Sequence, residues 1–135
     1  MQVRTVRVRV VDLGFPEGAL TREIIGTDED SDLFGQAAPF TGGRCRQLGF
    51  DLCPPDLGPH LRLDYADQPQ GERVYVAMKP ITTSDGEPRI LVVERTAEGL
   101  ALNAARARHD DQWSPDDLFV FCVAGKAGPP NGGEE

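Results

Sequence analysis

Apolar and polar residues alternate from Val3 to Leu13, where Val6, Val8 and Val10 interleave with Arg7 and Arg9. A period of two sends successive side chains to opposite faces, so this stretch predicts a strand with one buried and one wet face. Gly14-Phe15-Pro16-Glu17-Gly18 ends it. A second short strand is expected around Arg22 to Gly26, built on Ile24 and Ile25. Strand-like alternation returns at Arg44 to Cys53, with Leu48, Phe50 and Leu52 on one parity. It returns again at Leu61, Leu63 and Tyr65, against Arg62 and Asp64. The intervening Pro54-Pro55-Asp56-Leu57-Gly58-Pro59 cannot continue a ladder, because proline has no N–H to donate. The two runs are therefore expected to form a hairpin with a long, stiff tip.

The sharpest local signal is Ser84-Asp85-Gly86-Glu87 between the β-type runs Glu72 to Thr82 and Pro88 to Arg95. Asp-Gly favours a hairpin turn, because glycine takes a positive φ without steric cost and aspartate tolerates one. With Asp85 and Gly86 as a two-residue loop, Met78 faces Val93 and Val76 faces Arg95. Val74, Val76, Met78, Leu91 and Val93 then share the face expected to form the core. Tyr75, Lys79, Ile90, Val92 and Glu94 take the other. Pro80 predicts an edge position or a bulge.

Ala97 to His109 reads two ways. Alanine content, with Thr96 as a cap and Arg106 and Arg108 near the negative end, favours a short helix. A strand after a Thr-Ala-Glu-Gly turn, with Leu100 and Leu102 inward, is the alternative. Ser114-Pro115-Asp116-Asp117 starts a single turn, and Leu118 to Val123, apolar on both parities, predicts a central strand. The fold class is mainly β: an antiparallel β-sandwich or small β-barrel with at most one short helix, around residues 97–109. Residues 1–124 form one domain and 125–135 a flexible polar tail.

Composition narrows the function classes. The chain of 135 residues is the size of one domain, and its 22 acidic against 14 basic residues give a net charge of −8. Phosphate backbones reward basic surfaces, so no nucleic-acid partner is expected. The apolar runs are too short to cross a bilayer, and the N-terminus lacks an apolar signal block, so no membrane is expected and the location expected is cytoplasmic. Three cysteines without paired spacing argue against a disulfide framework.

Candidate chemistry is sparse. Asp28-Glu29-Asp30-Ser31-Asp32 begins like a calcium loop, but Leu33 stands where the turn glycine belongs and Pro39 where the bidentate glutamate belongs. A solvated loop accounts for it. Cys53 and His60 bracket the proline-rich tip, and a thiol beside an imidazole is the minimal arrangement for an activated nucleophile, though no orienting third residue is evident. A buried, inert cysteine is the plainer reading. Cys45, Cys53, Cys122, His60 and His109 lack metal-ligand spacing, so neither metal nor cofactor is expected. His109-Asp110-Asp111 lacks the further ligands of a metal-dependent phosphohydrolase, and Gly125-Lys126 lacks the upstream glycine of a phosphate loop.

Arg-x-Arg recurs three times, at Arg7/Arg9, Arg44/Arg46 and Arg106/Arg108. On a strand this spacing sends both guanidinium groups to one face. Arg44 and Arg46, with Tyr65 in the proposed hairpin, are candidates to grip a carboxylate or phosphate at the rim of an apolar cavity. Pairing with surface carboxylates is the plainer alternative. Trp113 and Tyr75 are expected as partly buried aromatics whose polar ends find partners.

With no assembled catalytic set, the first functional expectation is a non-catalytic module. It would bind a protein or a small anionic ligand through a sheet face or edge, and a homo-oligomer is compatible with it. The alternative is a small-barrel enzyme, of cyclase or hydrolase type, acting on an apolar anionic metabolite through Cys53, His60, Asp64, Arg44, Arg46 and Tyr65. A structural component of a phage or other assembly is the third.

Overall fold

A computed structural model describes residues 4–26 and 44–123; the acidic run at 28–32 and the tail at 125–135 lie outside the described residues. In chain order the elements are β1 (Thr5–Arg9), a 3-10 turn (Val10–Leu13), β2 (Ala19–Leu20), α1 (Thr21–Ile24), α2 (Arg44–Gln47) and β3 (Phe50–Asp51). They continue as α3 (Leu57–Asp64), β4 (Arg73–Val76), β5 (Ile81–Thr82), β6 (Pro88–Thr96), β7 (Gly99–Arg106), β8 (Gln112–Trp113) and β9 (Leu118–Val123). The fold is mainly β: one seven-stranded mixed sheet, and a two-stranded ribbon of β2 and β8.

β9 is the hub of the sheet. It pairs antiparallel with β1 and β3 and parallel with β4. Its four central residues, Phe119 to Cys122, are all buried, as a strand apolar on both parities requires. β6 is the second hub, with β4 and then β5 along one side and β7 along the other. The sheet is open: among the described residues no pairing joins β1 to β7.

Both faces of the sheet carry core. On one, Phe50, Phe121, Phe119, Trp113 and Tyr75 form a chain of ring contacts with centroids 4.9–6.2 Å apart. On the other, α3 lies on β6 and β7. A Cβ on Gly58 would stand 2.7 Å from Leu91 Cδ1 and 3.5 Å from Leu102 Cδ1, so the first turn of α3 approaches the sheet as closely as only glycine permits. Val74, Val76 and Met78 are fully buried, as their shared parity predicts.

Several local expectations are corrected. Residues 97–109 are not helical: β7 pairs with β6 over eight residues from Thr96↔Gly99 to Arg89↔Arg106. Gly99, at φ 125°, makes the turn, and satisfying a whole ladder outweighs the helix propensity of the five alanines between residues 97 and 109. Leu102 is half-buried, while Leu100 remains 45% exposed. The helices lie elsewhere, and there are three short ones among the described residues rather than at most one. The hairpin expected across Cys53 and His60 is absent: Arg44–Gln47 and Leu57–Asp64 are helices, leaving only Phe50–Asp51 as strand. Pro59 sits in the first turn of α3, where its missing N–H removes no intrahelical bond. The strand expected at Arg22 to Gly26 is instead a helical turn that buries Ile24 and Ile25 completely.

The Asp85-Gly86 hairpin exists with a shifted register. Thr83 N–H donates to Glu87 O at 3.1 Å, so the loop is Ser84-Asp85-Gly86, with Gly86 at φ 83°. A three-residue loop ending in a left-handed glycine is a standard hairpin solution. Met78 consequently does not face Val93; Val74 does. The ladder breaks between Val76 and Ile81, where Pro80 predicts an interruption.

Candidate functional site

A groove of about 530 Å³ lies between β1 and the C-terminal end of α3, lined by Thr5, Arg7, Leu61, Asp64, Tyr65 and Val120 among others. The alternation read in the sequence builds its β1 wall. Val123 N donates to Arg4 O and Val10 N donates to Asp117 O, each at 2.9 Å, so the even-numbered residues of this stretch direct their amides toward β9. Thr5, Arg7 and Arg9 therefore direct their N–H and C=O groups away from β9. All three residues are exposed, and among the described residues nothing pairs with that edge.

The α3 wall is fixed by a buried polar cluster. Arg62 donates to Tyr65 O at 2.7 Å, Glu94 O at 2.8 Å, Gln68 Oε1 at 2.9 Å and Ala101 O at 3.1 Å. Gln68, with no exposed surface, donates from Nε2 to Val93 O and to Glu72. The Tyr65 hydroxyl donates to Glu72 Oε1 at 2.7 Å; partial burial and that carboxylate raise its pKa, so it stays a neutral donor. Glu94, only 6% exposed, accepts from Arg73 at 3.0 Å and Asn103 at 2.5 Å. These contacts tie the end of α3 and the following loop to β6 and β7, and so hold the Tyr65 ring in place.

On that ring rests Arg7, its guanidinium carbon 4.5 Å from the centroid. Stacking uses the face of the guanidinium and leaves its in-plane donors available. Among the described residues no carboxylate or carbonyl accepts from them. Asp64, exposed at the helix end, is the carboxylate of the groove.

The remaining candidates lie apart from one another. Cys53 is buried; its Sγ donates to Val120 O at 3.4 Å. The neighbouring Cys122, and then burial, push this thiol well above its usual range, so it holds its proton. His60 is exposed on α3, and no hydrogen bond joins it to Cys53 among the described residues. Cys45 is fully buried and its thiol is raised to about 11, by burial first and by Asp51 second. Arg44 donates to Leu13 O at 2.9 Å and Gln47 Oε1 at 2.7 Å, while Arg46 stands 3.6 Å from Asp51. On a helix, residues two apart diverge, so these two arginines do not share a face. Arg106 is bidentate to Asp111, and Arg108 lies near Glu87 and Asp110. Trp113 donates to Thr21 Oγ1 at 2.7 Å. No group of three or more His, Cys, Asp or Glu among the described residues is arranged to hold a metal ion, and no helix among them is long and apolar enough to cross a membrane.

Arg62 and Gln68 were not legible as cluster residues, but Glu94 carries a signal. A carboxylate ending the apolar run Ile90 to Val93 calls for buried donors. Comparison of the chain with protein-family models, curated proteins and solved structures gives no match, so geometry alone carries the functional reading.

Proposed function

We propose that the chain is a non-catalytic binding module that takes an extended polypeptide segment along the open edge of β1. One observation carries this reading: Thr5, Arg7 and Arg9 turn their backbone groups outward along one unpaired edge, and Thr5 and Arg7 border a groove whose far wall is tied to the sheet by the Arg62 cluster. Strand addition draws affinity from main-chain hydrogen bonds and selectivity from pockets that receive alternate side chains. The enzyme reading has less support. Arg44 and Arg46 have their own partners, neither lines the groove that holds Asp64 and Tyr65, and the Cys53 thiol keeps its proton.

A neutral β-forming pentapeptide, Thr-Val-Thr-Val-Thr with blocked ends, is a suitable probe for two-dimensional amide NMR. Saturable shifts are expected at the amides of Thr5, Arg7 and Arg9, with smaller ones at Val6 and Val8. Arg7→Pro removes one outward donor without touching a bond to β9; it should keep the folded spectrum and abolish the shifts. Absence of saturable shifts at millimolar peptide, or equal binding by Arg7→Pro, overturns the reading.

A further inference from the structure

β1 is a basic island in an acidic protein. Residues 1–11 contain Arg4, Arg7 and Arg9 and no aspartate or glutamate, in a chain of net charge −8. The pairing parity divides these arginines. Arg7 and Arg9 share the face of β1 that carries α3, whereas Arg4 lies on the opposite parity with Val6 and Val8. Arg9 stands 3.4 Å from Asp12 and lines a second groove of about 380 Å³ with Glu72, Asp116 and Asp117. Arg9 thus has Asp12 as its own partner, in a groove where three carboxylates outnumber the one other cation, Arg73. Arg7 is different: it lies on the Tyr65 ring with its donors turned to no described acceptor.

From this we infer that the segment added to β1 carries an aspartate or glutamate directly opposite Arg7, flanked on both sides by apolar residues. The inference rests on the strand-addition reading and names its sequence class. A residue opposite Arg7 falls on the same face as Arg7, where a carboxylate meets the guanidinium edge while Tyr65 supports its face. Its neighbours in the added strand turn to the other face, beside the half-buried Val6 and Val8, and gain by being apolar. The position opposite Arg9 has no such demand, because Asp12 and the second groove already supply negative charge. Asp64 is a like charge in the Arg7 groove and opposes the incoming carboxylate.

A second copy of β1 is the wrong occupant. A two-fold pairing centred on Arg7 sets arginine against arginine, and like charges directly opposite destabilise a ladder. Charged side chains on an edge strand are a known guard against such self-pairing.

The test compares three blocked pentapeptides, Thr-Val-Glu-Val-Thr, Thr-Val-Thr-Val-Thr and Thr-Val-Lys-Val-Thr, titrated by amide NMR against the full chain. The glutamate peptide is expected to bind about tenfold more tightly than the lysine peptide, the gap closing as salt rises. Arg7→Glu should reverse the order, and Asp64→Asn should tighten the glutamate peptide alone. Equal affinities of all three peptides, with shifts still at Thr5, Arg7 and Arg9, overturn the acidic preference and leave strand addition standing. No shifts with any peptide overturn both. Concentration-dependent shifts of β1 amides without peptide would identify a second copy as the occupant and overturn the inference.

Discussion

Arg62 and Arg7 meet the same residue from two sides and do opposite things. Arg62 gives its terminal nitrogens to four acceptors, one of them the Tyr65 carbonyl. Arg7 lies on the Tyr65 ring and gives hydrogen bonds to no described acceptor. The first is surrounded by backbone carbonyls that would lose their donor if it were removed. The second is exposed, and its removal leaves nothing buried unpaired. A guanidinium whose terminal nitrogens are spent within the chain, even with its Nε left buried and unpaired, holds the fold; one held in place by a ring, with donors unspent, is available to something else.

Substitution separates the two roles, and the largest effect belongs to Arg62. Arg62→Met should cost about 3 kcal/mol, because Gln68 Oε1 and several carbonyls lose their donor in a buried setting. Urea denaturation reads it, and a loss below about 1 kcal/mol would make Arg62 no more structural than a surface arginine. Next comes Gly58→Ala, where the new Cβ meets Leu91 at 2.7 Å. Overpacking there costs about 1–3 kcal/mol, offset by up to about 1 kcal/mol of helix propensity. A neutral result would show that the end of the Leu91 side chain turns aside to admit the methyl group, and that this contact does not hold α3 and the Tyr65 wall in place.

Arg7→Ala should change stability by no more than about 1 kcal/mol, the worth of an exposed cation–π contact, while weakening the glutamate peptide. A stability loss equal to that of Arg62→Met would erase the contrast between the two arginines. The smallest effect is at the hairpin tip. The Asp85 carboxylate accepts from the Thr83 hydroxyl, the Glu87 N–H and Arg89, in that order of influence, which lowers its pKa from 3.8 to about 2. A depressed folded-state value means the contribution is present above the unfolded pKa and fades as pH falls through the folded one. The difference in melting temperature between the wild type and Asp85→Asn should therefore hold at about pH 5 and shrink toward zero near about pH 2. A constant difference across that range would show that the carboxylate charge is not what holds the tip.

Part of this site was readable in advance. The valine-arginine alternation of β1 and its edge of charge are properties of consecutive residues, and Arg7 is one half of an Arg-x-Arg pair. Its partner Tyr65 was expected on a strand and lies instead at the end of a helix. Residues 44–65 misled because Leu61, Leu63 and Tyr65 also alternate by chance: Leu63 is 80% exposed, and the side of α3 that meets the sheet is set by Leu57, Gly58 and Leu61. Helical spacing of four and strand spacing of two both fit so short a run, and only a surface to pack on chooses between them.

By itself the sequence determined what depends on neighbours along the chain. That covers the mainly β character, the β1 alternation, the central place of Leu118 to Val123, the turn at Gly86 and the interruption near Pro80. Tertiary structure decided what depends on distant partners: that residues 97–109 extend along β6 rather than coil, that β4 runs parallel to β9, and that Arg7 meets Tyr65. Backbone preference differs by well under 1 kcal/mol per residue between most side chains, whereas an unpaired buried amide costs about 1–3 kcal/mol. At residues 97–109 the demand to pair buried N–H and C=O groups settled the outcome, and at residues 57–64 the surface offered by the sheet did.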